Sequence, residues 1–172
     1  MKTSMRPDRL AWALAFAAVS AAAQLVPANP DWKEVDVPPP PAFRLQGLIP
    51  LDLPGSTLRF GVDATSVSLG ADGIVRYVVV ASSPTGAVNA MYEGLRCGTA
   101  EVKTYARHNP DSGWTPVEGS QWRPLHGNSQ SRHSLIIART GACVGQGPNR
   151  SAATIVKDLR SPVDSRFSNE VR

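Results

Sequence analysis

Ile74-Val75-Arg76-Tyr77-Val78-Val79-Val80-Ala81 is the most strand-like stretch of the chain, and its reading decides the fold. β-Branched and aromatic side chains fit a pleated, packed surface better than a helix. The segment is apolar on both faces except for Arg76, so it belongs at the centre of a sheet, with one face covered by other elements. Just upstream, Gly70-Ala71-Asp72-Gly73 supplies residues tolerant of turn geometry, and Val67 and Leu69 show period-two alternation, which together predict a hairpin. Further upstream, Leu58, Phe60 and Val62 alternate with Thr57, Arg59 and Gly61 and share one face. Downstream, Ser83-Pro84-Thr85-Gly86 turns the chain into a strand over residues 88–97, and residues 101–107 form a fourth. The expected fold is α+β: a small antiparallel meander of about four strands with one or two packed helices, a single domain and one disulfide.

The remaining segments are less regular. Residues 108–130 are rich in Gly, Pro, Ser and Asn and read as a loop carrying Trp114 and Trp122. Residues 133–140 satisfy a buried strand and a short helix equally well, because Leu135, Ile136, Ile137 and Ala138 are consecutive. Residues 151–160 predict a short amphipathic helix: Ser151 can cap it, Ile155, Val156 and Leu159 share a face with Ala152, and Pro162 stops it. The polar tail, 161–172, is expected to be disordered.

The N-terminus has a different character. Lys2, Arg6 and Arg9 precede an apolar run from Leu10 to Val19, and Ser20-Ala21-Ala22-Ala23 follows. A charged head, a short apolar middle and a small-residue end is the pattern of a secretory signal peptide, here 1–23 with cleavage before Gln24. The run is shorter than the roughly 20 residues that span a bilayer. A lipid anchor would need a cysteine at the cut, and the first is Cys97. The mature part is therefore expected in the periplasm, without a stable membrane anchor.

Residues 24–42 hold Pro27, Pro30 and Pro38-Pro39-Pro40-Pro41, which make an extended arm rather than a helix or sheet element. The arm reads as a spacer, or alternatively as a polyproline ligand, with Trp32 the residue to dock back onto the domain, which is expected to span 43–160.

The formal charge of +4 falls to +2 once residues 1–23 are set aside, and the remaining cations are scattered. That excludes the basic stripe of a nucleic-acid partner. Cys97 and Cys143 are the whole thiol inventory, and in an oxidising compartment such a pair is most simply a disulfide.

Motifs of known chemistry are absent from the sequence. Gly127-Asn128-Ser129-Gln130-Ser131 fails the nucleophile-elbow pattern at its last position. His108, His126 and His133 lack metal-ligand spacing and read as surface or loop histidines. No glycine-rich phosphate cradle and no Cys-x-x-Cys occur, so no cofactor or metal is expected. Glu93 and Glu101 lie on expected strands, and a cross-strand ion pair of Glu93 with Arg76 accounts for the first. Asn149-Arg150-Ser151 matches the short glycosylation triplet.

Asp31-Trp32-Lys33-Glu34, Asp72-Gly73-Ile74-Val75-Arg76-Tyr77, Tyr92-Glu93-Gly94-Leu95-Arg96-Cys97 and Trp122-Arg123-Pro124 occur in that order. Together they resemble the family named after the first protein of a neisserial cryptic plasmid, the CNP-one-like family, from about Asp31 to Leu159. The resemblance implies an exported single-domain protein of Gram-negative bacteria and carries over no functional residues. The leading expectation is a non-catalytic periplasmic domain that binds an envelope partner through a sheet edge or its tryptophan-bearing loop, with Trp32, Trp114, Trp122, Arg76 and Glu93 as candidate contacts. One alternative is an envelope hydrolase or transferase in which Glu93, Glu101 and His126 converge. The other is a small-ligand carrier using Trp114 and Trp122 as a clamp.

Overall fold

A computed structural model describes residues 31–127 and 131–161. The expected signal peptide, the first part of the arm and all but the first residue of the expected tail lie outside the described residues.

The decisive stretch forms β4 (Val75–Ser82) at the centre of an antiparallel sheet. β5 (Val88–Arg96) pairs with it, Tyr77 opposite Glu93 and Val80 opposite Ala90. β6 (Glu101–Asn109) follows on β5. On the far side of β4 lie β2 (Arg59–Val62) and, along the same edge, β3 (Ser68–Leu69), with β1 (Ile49–Leu51) outside β2. The far edge of β6 takes β7 (Gly113–Pro116) at one end and β8 (Arg123–Pro124) at the other. Between β2 and β3, a one-turn 3-10 segment, Ala64–Ser66, fills the gap: Asp63 caps it, and Ser66 Oγ accepts the Val78 amide at 2.8 Å.

The sheet thus has eight strands rather than the four expected. Five of the eight are two to four residues long, and the three that were not expected, β1, β7 and β8, are too short to show alternation and each contain a proline. Proline is tolerated at a sheet edge, where its missing amide leaves no ladder bond broken. For the same reason the expected loop 108–130 contains β7 and β8, and Trp114 is a strand residue.

Both faces of β4 are covered, not one. On the first, Val75, Tyr77, Val79, Leu95 and Val102 pack against α1 (Arg132–Ile137) and α2 (Ala152–Arg160). The ambiguous segment 133–140 is therefore helical, and α1 runs on into a π-helical turn, Ala138–Ala142. Gly141 lets α2 approach that turn, since a Cβ there would lie 2.9–3.0 Å from Leu159 and the Ile155 carbonyl. Ser151 caps α2 through the Thr154 amide. Asn149 of the glycosylation triplet is 4% exposed and donates to the Gly141 carbonyl, so the triplet offers no acceptor site in the folded chain. Cys97, just after β5, is joined to Cys143 of β9 (Cys143–Val144), which pairs with β10 (Gly147–Pro148); the bond ties the sheet to the helical layer.

On the second face, Val78, Val80, Ala90, Tyr92 and Ala106 are covered by Val37, Phe43, Leu48 and Trp114. The N-terminal arm supplies much of that cover, so it acts as a strap rather than as a spacer. A bulge in β6 inserts Tyr105 between the residues opposite Tyr92 and Glu93, and it turns both Tyr105 and Ala106 toward the strap.

Candidate functional site

Two polar constellations interrupt this apolar frame, one on each face. On the helical face, Glu93 is 2% exposed and serves as a common acceptor. Its Oε2 accepts from Tyr77 Oη at 3.0 Å and Ser134 Oγ at 3.0 Å, its Oε1 faces Thr104 Oγ1 at 3.2 Å, and His133 Nε2 lies 3.1 Å from Oε2. The His133 ring stacks on Phe60, with centroids 5.1 Å apart and planes within 7°. Burial raises the Glu93 carboxyl, but attraction to the His133 ring and the hydrogen bonds from His133, Ser134 and Tyr77 outweigh it and hold the group below the usual carboxylate range. The Tyr77 hydroxyl is pushed far up by burial and by the Glu93 charge.

This arrangement corrects two expectations. His133 is a core residue, not a surface or loop histidine. Glu93 does not pair with Arg76, because Arg76 stands opposite Gly94 and points to the other face of the sheet. Chemically the cluster is an anchor. In a nucleophilic triad the histidine lies between hydroxyl and carboxylate; here Ser134 donates directly to the carboxylate and all five groups are buried.

On the opposite face the strap is latched by charge and by aromatic rings. Asp72 receives Arg76 through both terminal nitrogens, at 3.1 and 2.6 Å, and burial of its carboxyl is outweighed by these bonds and by the Ile74 and Val35 amides, so its pKa is lowered. Glu34 of the arm accepts Tyr105 Oη at 2.6 Å and Lys103 Nζ at 2.9 Å, with Arg76 Nη2 3.8 Å away. Burial and then the Glu34 hydrogen bond raise the Tyr105 hydroxyl strongly. Trp32 donates Nε1 to the Asp72 carbonyl at 2.9 Å, lies 3.7 Å beneath the Arg96 guanidinium and meets the edge of Trp122. Trp114 donates to the Pro41 carbonyl and contacts Phe43 and His108.

Between these two anchor points the proline run bridges a groove of about 320 Å³ lined by Val37, Pro38–Pro40, Tyr92, Tyr105, Ala106, Trp114 and Pro116. Rings and prolines predominate in its walls, as in many recognition grooves.

The candidate residues therefore separate. Trp32, Trp122 and Arg76 sit at one end of the strap, and Trp114 sits at the other: Trp114 neighbours His108, whereas Trp122 adjoins the β8 residue opposite Val102, so the two tryptophans form no clamp. Glu101 faces Arg96 at 3.7 Å on the strap side, and Glu93 is sealed on the helical side. His126 lines a third place, a hollow beside the disulfide. Glu34, Asp72, Tyr105 and the donors around Glu93 were not singled out from sequence. An acid flanked by apolar residues in mid-strand was the available signal for the Glu93 cluster; its histidine partner, 40 residues further along, gave none.

Among the described residues no cluster of three or more His, Cys, Asp or Glu is placed to hold a metal ion, and no helix is long and apolar enough to cross a membrane. Neither the curated proteins nor the solved structures contain a significant match to the chain. A family match does cover residues 27–160, spanning the strap, the sheet and both helices together with all four sequence strings that carried the resemblance, and by that match the chain belongs to the CNP1-like family.

Proposed function

We propose that the protein is exported to the periplasm and works there as a non-catalytic binding domain, meeting an envelope partner at the strap-covered face of its sheet. The observation that carries this reading is the contrast between the two faces. The carboxylate and histidine that could do acid–base work are sealed in the core and paired with each other, whereas the groove lined by Pro38–Pro40 presents Tyr105 and Trp114 over the buried ring of Tyr92. The sheet edges are poorer candidates than the groove, because β1 contains Pro50 and β7 ends in Pro116, and proline blunts strand addition.

Export is supported by the charged head, apolar run and Ala21-Ala22-Ala23 end. Intact mass of the periplasmic protein should start at Gln24, and a chain still carrying residues 1–23 would overturn that half. For binding, a photo-crosslinking residue at Trp114 should give a discrete adduct in the envelope, while the same residue at exposed Ala153 on α2 should give none. Equal labelling at both positions, or ester, phosphate or glycoside turnover lost on Glu93→Gln, would sink the reading.

A further inference from the structure

We propose that residues 31–44 form an exchangeable arm, and that the face it covers can receive the same arm from a second copy of this chain. This deepens the binding reading above by naming a partner for the strap-covered face.

The first ground is how the arm is held. Residues 31–48 form no strand with the sheet. Besides the apolar cover of Val37 and Phe43, their attachments are single bonds and ring contacts in each of which a side chain takes part: Trp32 under Arg96, Glu34 on Lys103 and Tyr105, the Val35 and Arg44 amides on the Asp72 and Asp63 carboxylates, and the Pro41 carbonyl on Trp114. Such a segment docks as a peptide ligand does, through an aromatic anchor, a carboxylate and a stiff proline run that loses little entropy on binding. The complementarity is specific, since Glu34 of the arm meets Lys103 at 2.9 Å and lies 3.8 Å from Arg76, whose other partner is Asp72 of the sheet's own turn.

The second ground is the connection between arm and sheet. Residues 45–47 are exposed, with Leu45 57% accessible, and they turn the chain from the arm into β1. The turn depends on Gly47 at φ +73°, and a Cβ there would meet nothing within 4 Å. Opening this turn lets the arm leave as a unit, and the arm of another copy then remakes every contact in trans. Exchange of an identical element costs no contacts, so concentration and the turn decide between the two states. Fully extended at about 3.1 Å per residue, the 14-residue arm is long enough to bridge to a neighbouring molecule.

Because Glu34 and Lys103 are 2.9 Å apart, a carbodiimide can join them without a spacer, and that link reports which copy the arm came from. Equal amounts of ordinary and nitrogen-15-labelled mature chain, with the disulfide intact, are unfolded and refolded together at about 1 mM, the scale at which a second copy competes with a short tether. They are then coupled, separated by size and digested. The expected result is a two-copy fraction carrying Glu34–Lys103 links between unlike isotopes, and loss of the link in Glu34→Gln. Gly47→Val opposes only the turn and should raise the two-copy fraction at fixed concentration by about fivefold or more. A solely monomeric wild-type protein under these conditions, or two-copy species whose links join like isotopes only, overturns the proposal. If it falls while the Trp114 adduct contains a foreign protein, the binding reading stands without exchange. If unlike-isotope links form and the adducts contain only this chain, exchange stands and the envelope partner is a second copy.

Discussion

The Glu93 carboxylate lies 3.1 Å from His133 Nε2 in the interior, joining the central strand pair to the first turn of α1 across 40 residues of sequence. Tyr77, Thr104 and Ser134 complete the shell. A buried charge that takes half its donors from α1 fixes how the helical layer sits on the sheet, because any other placement deprives the carboxylate of His133 and Ser134 and leaves it only Tyr77 and Thr104.

Acid should therefore loosen the fold. Glu93 and Asp72 are both held below the ordinary carboxylate range, so their contributions are fully present above the unfolded values near about 4 and are lost as pH falls through the lower folded values. The melting temperature should drop as pH is lowered from 6 to 3. Glu93→Gln should cost about 3 kcal/mol or more at neutral pH and flatten that profile. An unchanged acid profile in the variant would show that Glu93 is not the group responsible.

Cys97 and Cys143 close a loop of 46 residues. In the chain-entropy account that contributes at most about 4 kcal/mol. Cys97→Ser should lower the melting temperature by about 10 °C and leave Cys143 titratable. Protein from the periplasm should show no thiol under denaturing, non-reducing conditions.

Gly94 is the point where β5 makes room for Tyr105. A Cβ there would fall 2.3 Å from the Tyr105 hydroxyl and 2.9 Å from an Ile74 methyl. Gly94→Ala should destabilise by about 2 kcal/mol and displace Tyr105 from Glu34. A loosened arm, read by proteolysis within residues 31–44, would accompany the loss.

Trp32→Ala removes a ring stacked with Arg96, an edge contact with Trp122 and one hydrogen bond. Its effect should be local. Amide exchange in residues 31–44 should accelerate by about tenfold or more while the core of β4 and β5 keeps its protection. Uniform acceleration throughout the sheet would mean that the strap is integral to the global fold.

Arg76 shows where reading by neighbourhood failed. Its place in a central strand was legible from the apolar residues around it, but period two alone does not say which face it takes relative to Glu93. Register settles that: Arg76 stands opposite Gly94 and reaches back to Asp72 in its own turn, four residues away. The short outer strands were hidden for a related reason, since pairing at a sheet edge needs a neighbour's free amides and carbonyls more than a pattern of its own.

The sequence by itself determined the central strands, the turn at 70–73, the capped helix α2, the cysteine pair and the family, because each rests on local periodicity, local backbone preference or a short inventory. The tertiary structure alone decided that eight strands form, that 133–140 is helical, that His133 meets Glu93, and that Glu34 straps the arm to Lys103 and Tyr105. The side-chain meetings join residues 40 to 71 positions apart, and they form only when the sheet's register and bulge carry distant side chains to one face. Nothing in a local pattern encodes such a meeting.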